Sequence, residues 1–278
     1  MKDDVIGDWS ENKLEIIEKY ARPYSQIMTS KGFYHIYIDA FAGSGRHISR
    51  RSEKEVLGSP RIALATSPPF REYHFVEWNE KRAEGLRVLE QEHSNLKVYF
   101  GDCNNVLPRE IFPLLARSGK QRALCILDPY ALNYDWNLIC AAAQTKKVDL
   151  ILTFMMMDVQ MNVLLKDPNT IKETQAKRLT RSWGDETWRK AAYEVHDEQL
   201  NMFGGSDRVK TGSLHFAKEY GRRLKEVAGF EYVSDPVEML NSRKGTVYYL
   251  YFMSHASVAL KIMKDIVTRL RKRQVGHA

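Results

Sequence analysis

Four acids in this chain each close, or closely follow, a short apolar run. Asp39 ends YHIYID, Glu77 ends YHFVE, Asp102 follows LKVYFG, and Asp128 ends ALCILD. A single acid at a strand end is commonly a helix cap. Four in succession would meet one ligand, because open parallel sheets bind ligands at the carboxyl ends of their strands. The first acid leads into YIDAFAGSGRH, where Gly43 and Gly45 flank a serine and let a ligand come close to backbone. A dinucleotide site needs a third small residue, G-x-G-x-x-G, so that a helix can approach the pyrophosphate. Here that place holds Ile48, with Arg46, Arg50 and Arg51 around it and no helix start. A nicotinamide cofactor is therefore disfavoured. S-adenosylmethionine has no pyrophosphate and needs only a glycine bend, for which Gly43 and Gly45 serve. Asp39 would then face its cationic amino-acid end, Glu77 the ribose hydroxyls and Asp102 the adenine edge.

Asp128-Pro129-Tyr130 carries the reaction signal. Proline donates no backbone N–H and pushes the residue before it toward an extended form. The Asp128 carboxylate and nearby carbonyls then form an acceptor cluster, suited to an amine that donates hydrogen bonds while its lone pair attacks a methyl group. Tyr130 would stack on a planar base, a contact of roughly 1–3 kcal/mol in nucleic-acid sites. Arg46, His47, Arg50 and Arg51 lie in the loop leaving the glycine bend and are candidates for substrate phosphates. Their neutralisation would make binding steeply salt-dependent.

These residues need a sheet to bring them together. FYHIYIDAF, YHFVEW, LKVYF, ALCILDPY and VDLILTFMMM are apolar runs of strand length, without alternation and separated by helical spacing. That pattern indicates a parallel sheet covered on both faces. KLEIIEKYARPYSQIM is a helix with Ser10 as its cap, SPRIALATS opens on a Ser-Pro helix start, and 43–58 is a long polar loop. Residues 158–211 break the rhythm and are expected to form a helical insertion or lid. Within it, Trp183 and Trp188 stand five apart and are assigned to core packing, and FGGSD marks a break. SLHFAKEYGRRLKEVAG, a strand pair divided by NSRKG, and a basic final helix complete one domain over 1–278.

Size and composition bound the rest. The chain has 278 residues, 44% of them hydrophobic, enough for one substantial core. Nothing approaches the ~18 consecutive apolar residues of a membrane span, and the opening MKDD does not read as a secretory signal. Cys103, Cys125 and Cys140 are few, odd in number and widely spaced, which points to a reducing, cytoplasmic setting and to neither a disulfide framework nor a metal site. Lys and Arg outnumber Asp and Glu by 42 to 35, a net charge of +7, compatible with a nucleic-acid partner.

WSENKLEIIEKY, YIDAFAGSG, GSPRIAL, FVEWNEKR, GDCN, LDPY and YYLYFMSHASVALKIMKDI, in that order, resemble the bacterial three-Cys-motif partner proteins. The resemblance covers nearly the whole chain apart from the middle insertion. It implies a Rossmann-like class I methyltransferase fold, with a mostly parallel seven-stranded sheet and helices on both faces, and S-adenosylmethionine as cofactor. It also implies a functional partner carrying a three-cysteine radical iron–sulfur motif. Carried over, the cofactor set is Asp39, Phe41, Ala42, Gly43, Gly45, Glu77, Trp78, Asp102 and Cys103. The catalytic set is Asp128, Pro129 and Tyr130. Adenine methyltransferases of this class carry two prolines after the acid, and the single proline here is similar also to certain tRNA guanine methyltransferases, so the base stays open. Two function classes follow: a methyltransferase acting on a nucleobase amine of RNA or DNA, or a non-catalytic partner that binds cofactor or nucleic acid.

Overall fold

A computed structural model describes residues 4–200 and 206–275, with side chains described for 5–193 and 211–273. Part of the FGGSD break lies outside them. The chain opens with β1 (Asp4–Ile6) and the long helix α1 (Asp8–Ser30), followed by β2 (Tyr34–Asp39). The segment 43–58, expected as a loop, instead holds β3 (Arg46–Ser49) and β4 (Glu55–Leu57). Those two form an antiparallel hairpin, and β1 adds to it in parallel. The difference has a physical cause: RHIS and EVL are short and half exposed, and their extended form depends on pairing, RHIS with residues some forty positions earlier and EVL with RHIS. Then come α2 (Ser59–Leu64), β5 (Glu72–Glu77), α3 (Glu80–Glu92), β6 (Leu96–Phe100), the short α4 (Cys103–Val106) and β7 (Gln121–Leu127). The stretch read as a helix around IFPLLARSG is helical but irregular, a π-helical turn over Leu107–Ile111 followed by a 3-10 turn over Phe112–Ala116, each carrying a proline. Next are α5 (Trp136–Gln144), β8 (Val148–Phe154), α6 (Met156–Asn162), α7 (Glu173–Trp183), α8 (Trp188–Ala192), β9 (Tyr193–Leu200) and β10 (Ser206–Lys210). The chain closes with α9 (Ser213–Glu226), β11 (Tyr232–Val233), β12 (Val237–Leu240), β13 (Thr246–Ser254) and α10 (Ser257–Val275).

Among the described residues the main sheet has eight strands, where seven were expected, and it is mixed, with five of the strands parallel. β6, β5, β2, β7 and β8 run parallel in that spatial order. β13 joins β8 antiparallel, and β11 and β12 share its outer edge. Counted along the chain, the parallel strands lie in the order 3-2-1-4-5, so the connections diverge between β2 and β7, where such sheets take up ligands.

Strand alternation splits the core between the two faces. Ile36, Ile38, Cys125, Leu127, Leu152 and Tyr251 belong to one apolar cluster with α5, α7, α8 and α9. Tyr37, Leu124, Ile126, Ile151, Leu250 and Phe252 belong to the other, with α1, α3 and α10. Helices therefore cover both faces, as the continuous apolar strands require.

The segment 158–211 is helical through α7 and α8 and ends as the antiparallel pair β9–β10. Trp183 and Trp188 are fully buried in the same cluster as β8, so α7 and α8 are part of the outer layer. Ser10 lies inside α1, with Gly7 at its N-cap position. Among the described residues, no helix is long and apolar enough to cross a membrane, and no group of three or more His, Cys, Asp or Glu side chains could hold a metal ion.

Candidate functional site

A cleft of about 690 Å³ opens across the carboxyl ends of β2, β5, β6 and β7. That volume lies within the range of small-molecule sites. Phe41, Ala42, Gly43, Glu77, Trp78, Asp102, Cys103, Asp128, Pro129 and Tyr130 all line it, together with His47 and Arg50. The strand order explains the convergence: neighbouring parallel strands end at one level, and the tips of β5, β6 and β7 each deliver one acid to the cleft.

The glycine bend is built by the β5 tip. The Ala42 N–H donates to the Val76 carbonyl at 3.0 Å, and the Gly43 N–H donates to Glu77 Oε2 at 2.8 Å. Glu77 Oε1 accepts from the Asn79 N–H at 2.8 Å. Both carboxylate oxygens thus hold backbone, and each keeps a second lone pair for another donor. Gly43 has φ +64°, a left-handed conformation that glycine adopts without strain. Apart from the bend's own neighbouring residues, no atom of the described residues lies within 4 Å of where a Cβ on Gly43 would stand, so the space beside the bend is open.

Gly45 has a different task. Its carbonyl accepts from the Gly58 N–H at 3.0 Å, and a Cβ on Gly58 would stand 2.9 Å from the Gly45 carbonyl carbon. The two glycines let the end of the β3–β4 hairpin lie flat on the bend. Gly58 carries no signal in the sequence beyond preceding Ser59-Pro60.

Asp102 Oδ1 accepts from the Asn104 N–H at 2.9 Å and from Asn104 Nδ2 at 2.8 Å, which caps α4. Asn104 Oδ1 in turn accepts from the Asp135 N–H at 2.7 Å, tying the β6 and β7 loops together. Cys103 is buried beside Asp102, and burial pushes its thiol well above its ordinary range.

Asp39 does not reach the cleft surface. It is fully buried behind the bend, near Ser59, with Oδ1 accepting from the Phe41 N–H at 3.3 Å and Oδ2 making no hydrogen bond of normal geometry among the described residues. Burial pushes its carboxyl up to about 7, and the charges of Asp128 and Glu77 add to the rise. Arg46 and Arg51 also lie outside the lining. Arg46 faces Glu55 at 3.4 Å, and Arg51 borders a separate groove beside Glu11, Glu15 and Glu18. Arg50 does line the cleft, its guanidinium 5.8 Å from the ring of Trp9.

At the β7 tip, Pro129 is buried and Asp128 half-buried, while Tyr130 is 73% exposed. Trp78, beside Glu77, is 71% exposed. Two large aromatic faces therefore stand open at the rim, an arrangement suited to planar ligands.

Several lining residues escape sequence reasoning. Trp9, Ser10 and Lys13 come from the first turns of α1, Met155 follows β8, Tyr248 belongs to β13, and Arg181 belongs to α7. Lys13 forms an ion pair with Asp128, and Arg181 one with Asp135. The Tyr248 hydroxyl donates to the Trp9 carbonyl at 2.5 Å. The one available signal was Lys13 itself, a lysine set within the apolar stripe of its helix.

No family model matches the chain, and no curated protein matches it. Solved structures similar to it include a protein from Legionella pneumophila, at 12% identity and a TM-score of 0.44, covering 92% of this chain and 91% of that one. A protein from Thermobifida fusca proposed to be a methyltransferase has 12% identity and a TM-score of 0.42, over 88% of this chain and 82% of that one. An O-methyltransferase of neocarzinostatin biosynthesis, crystallised with S-adenosylmethionine and a naphthoic acid, has 12% identity and a TM-score of 0.37, over 83% of this chain and 52% of that one.

Proposed function

We infer that the cleft binds S-adenosylmethionine and serves methyl transfer to an exocyclic amine of a nucleobase in RNA or DNA. The observation that carries this is the joining of Glu77 to the Gly43 bend at 2.8 Å, on a cleft that also holds Asp102 and Asp128. The residues present fit the cofactor: the space beside Gly43 is open, and Glu77 keeps acceptor capacity toward hydroxyls. Gly43 and Ala42 would lie against the methionine portion, Glu77 would accept from the ribose, and Trp78 and Asp102 would hold the adenine. Asp39, fully buried, would act on the amino-acid end only through the bend it supports. When bound, the cofactor would supply an electrophilic methyl carbon on a positively charged sulfur, which would leave as the neutral thioether once the amine bonded that carbon, and the methylated amine would give one proton to water.

The chain's own part is positioning. Asp128 accepts an N–H of the amine and aims its lone pair, Tyr130 stacks on the base, and Pro129 keeps the tip free of a competing donor. Arg50 and His47, on the hairpin side of the cleft, would meet phosphate. Asp128→Ala should abolish label transfer from methyl-labelled S-adenosylmethionine to cellular RNA or DNA and leave cofactor affinity within twofold by calorimetry. Unchanged transfer would overturn the assignment.

A second reading, a non-catalytic partner of a three-cysteine-motif iron–sulfur protein, is favoured by one feature. Lys13 already occupies Asp128, the acid on which the transfer relies. Copurification with such a partner, and no label transfer to any nucleic acid, would select it.

A further inference from the structure

Lys13 stands where α1 would otherwise place an apolar side chain. The buried side of that helix runs through Leu14, Ile16, Ile17, Tyr20, Ala21 and Tyr24, and Lys13 is on it, only 8% exposed. A lysine so buried requires compensation. It finds two partners on the sheet that α1 covers, one at the β7 tip and one on β13. Its ammonium donates to Asp128 Oδ2, and it lies 5.2 Å from the ring centroid of Tyr248. Lys13, Asp128 and Tyr248 all line the cleft.

This pairing sets the charge at the point where an amine would enter. An unpaired carboxylate in a half-buried cleft attracts cations, and an aliphatic amine at neutral pH is a cation. Such an ammonium would bind well and react not at all, because its lone pair carries a proton. Lys13 cancels the charge of Asp128 and occupies Oδ2, which leaves Oδ1 to accept from a neutral N–H. An arriving ammonium would face the Lys13 charge at short range in a medium that screens poorly. An exocyclic amine on an aromatic base is neutral at the same pH, and Tyr130 offers its ring beside it.

We propose that Lys13 determines specificity at this site, admitting neutral planar amines to Asp128 and excluding alkylammonium ions. The chemistry of the site rests on the methyl-transfer reading above; the selectivity rests on the ion pair and can be read without cofactor. The test uses the full chain as wild type, Lys13→Met, Lys13→Gln and Lys13→Arg. Ligand-observed NMR titrations follow adenosine and guanosine as neutral amines and n-butylammonium as the cation. The wild type should bind a nucleoside and discriminate against butylammonium. Lys13→Met should tighten butylammonium by about tenfold to a hundredfold, the scale of a hydrogen bond to a charged group, and loosen the nucleoside. Lys13→Gln, which keeps a donor to Asp128 and removes the charge, should reverse the preference in the same sense if the Met variant does not fold. Lys13→Arg should restore the wild-type ratio. An unchanged ratio in a folded Met or Gln variant, or binding of neither probe by any variant, overturns the proposal. A parallel calorimetric titration of the wild type with S-adenosylmethionine separates the two ideas: no cofactor binding alongside the expected amine ratios would sink the transferase reading alone.

Discussion

Glu77→Ala removes the carboxylate that joins the glycine bend to the neighbouring strand. Two backbone N–H groups lose their acceptor, those of Gly43 and Asn79, each now 2.8 Å from a Glu77 oxygen. A hydrogen bond to a charged acceptor contributes about 1.5–3 kcal/mol. The Gly43 bond lies at a half-buried bend and counts nearly in full; Asn79 is exposed, so water replaces its bond at little loss. The expected destabilisation is therefore about 1.5–3 kcal/mol. For a chain of this size that corresponds to a Tm lower by roughly 3–6 °C. Urea titration followed by circular dichroism measures it, with the midpoint falling and the slope unchanged. Glu77→Gln keeps one acceptor oxygen and should recover about half the loss. Stability of Glu77→Ala within about 0.5 kcal/mol of wild type, the range of an ordinary surface substitution, would refute the claim that this acid organises the bend. A destabilised variant that still binds S-adenosylmethionine at wild-type affinity would reduce Glu77 to a scaffold.

Asp39 and Asp149 make stability depend on pH. Burial raises Asp39 to about 7 and Asp149 to about 6, although Tyr20 and Ser254 donate to the latter. Both lie above the unfolded value near 4, so the native state holds more protons than the unfolded chain between about pH 4 and 7. Stability from these groups is full below pH 4 and is lost as pH rises through that window. Asp39→Asn should flatten the curve and leave the variant more stable than wild type at pH 8, on the order of 2–4 kcal/mol; a parallel curve for variant and wild type would contradict this. Gly58→Ala forces a Cβ to within 2.9 Å of the Gly45 backbone, where nothing flexible can yield. It should lower stability by about 1–3 kcal/mol as measured by thermal melting, and an unchanged Tm would show that the hairpin does not rest on the bend.

Much of the sheet was legible because its strands are buried on both faces. LKVYF and TVYYLYFMS coincide with β6 and β13 to the residue: β13 is a long apolar run buried along nearly its whole length, and β6, at the sheet edge, keeps buried apolar positions around the exposed Lys97. The acids at the tips were legible for the same reason: they mark where burial ends. What failed was decided at a distance. β3 and β4 have too few apolar residues to announce themselves; they are extended because they pair with each other and because β1, forty-odd positions earlier, pairs with β3. Asp39 looked like the other three acids in sequence and differs only because the bend folds over it. The Lys13–Asp128 pair spans 115 positions, which local pattern does not reach.

The hydroxyl of Tyr248 holds the carbonyl of Trp9 across 239 positions of chain, and Arg273 reaches Glu15 across 258. One wall of the cleft is therefore made from the first thirty residues and clamped by the last thirty-odd. Contacts so distant in sequence are slow to form. On the ribosome, where earlier residues fold first, the early strand tips can be in place while the floor beneath α1 still lacks its final strand. A chain halted before Thr246 would carry all four tip acids and still have no closed site.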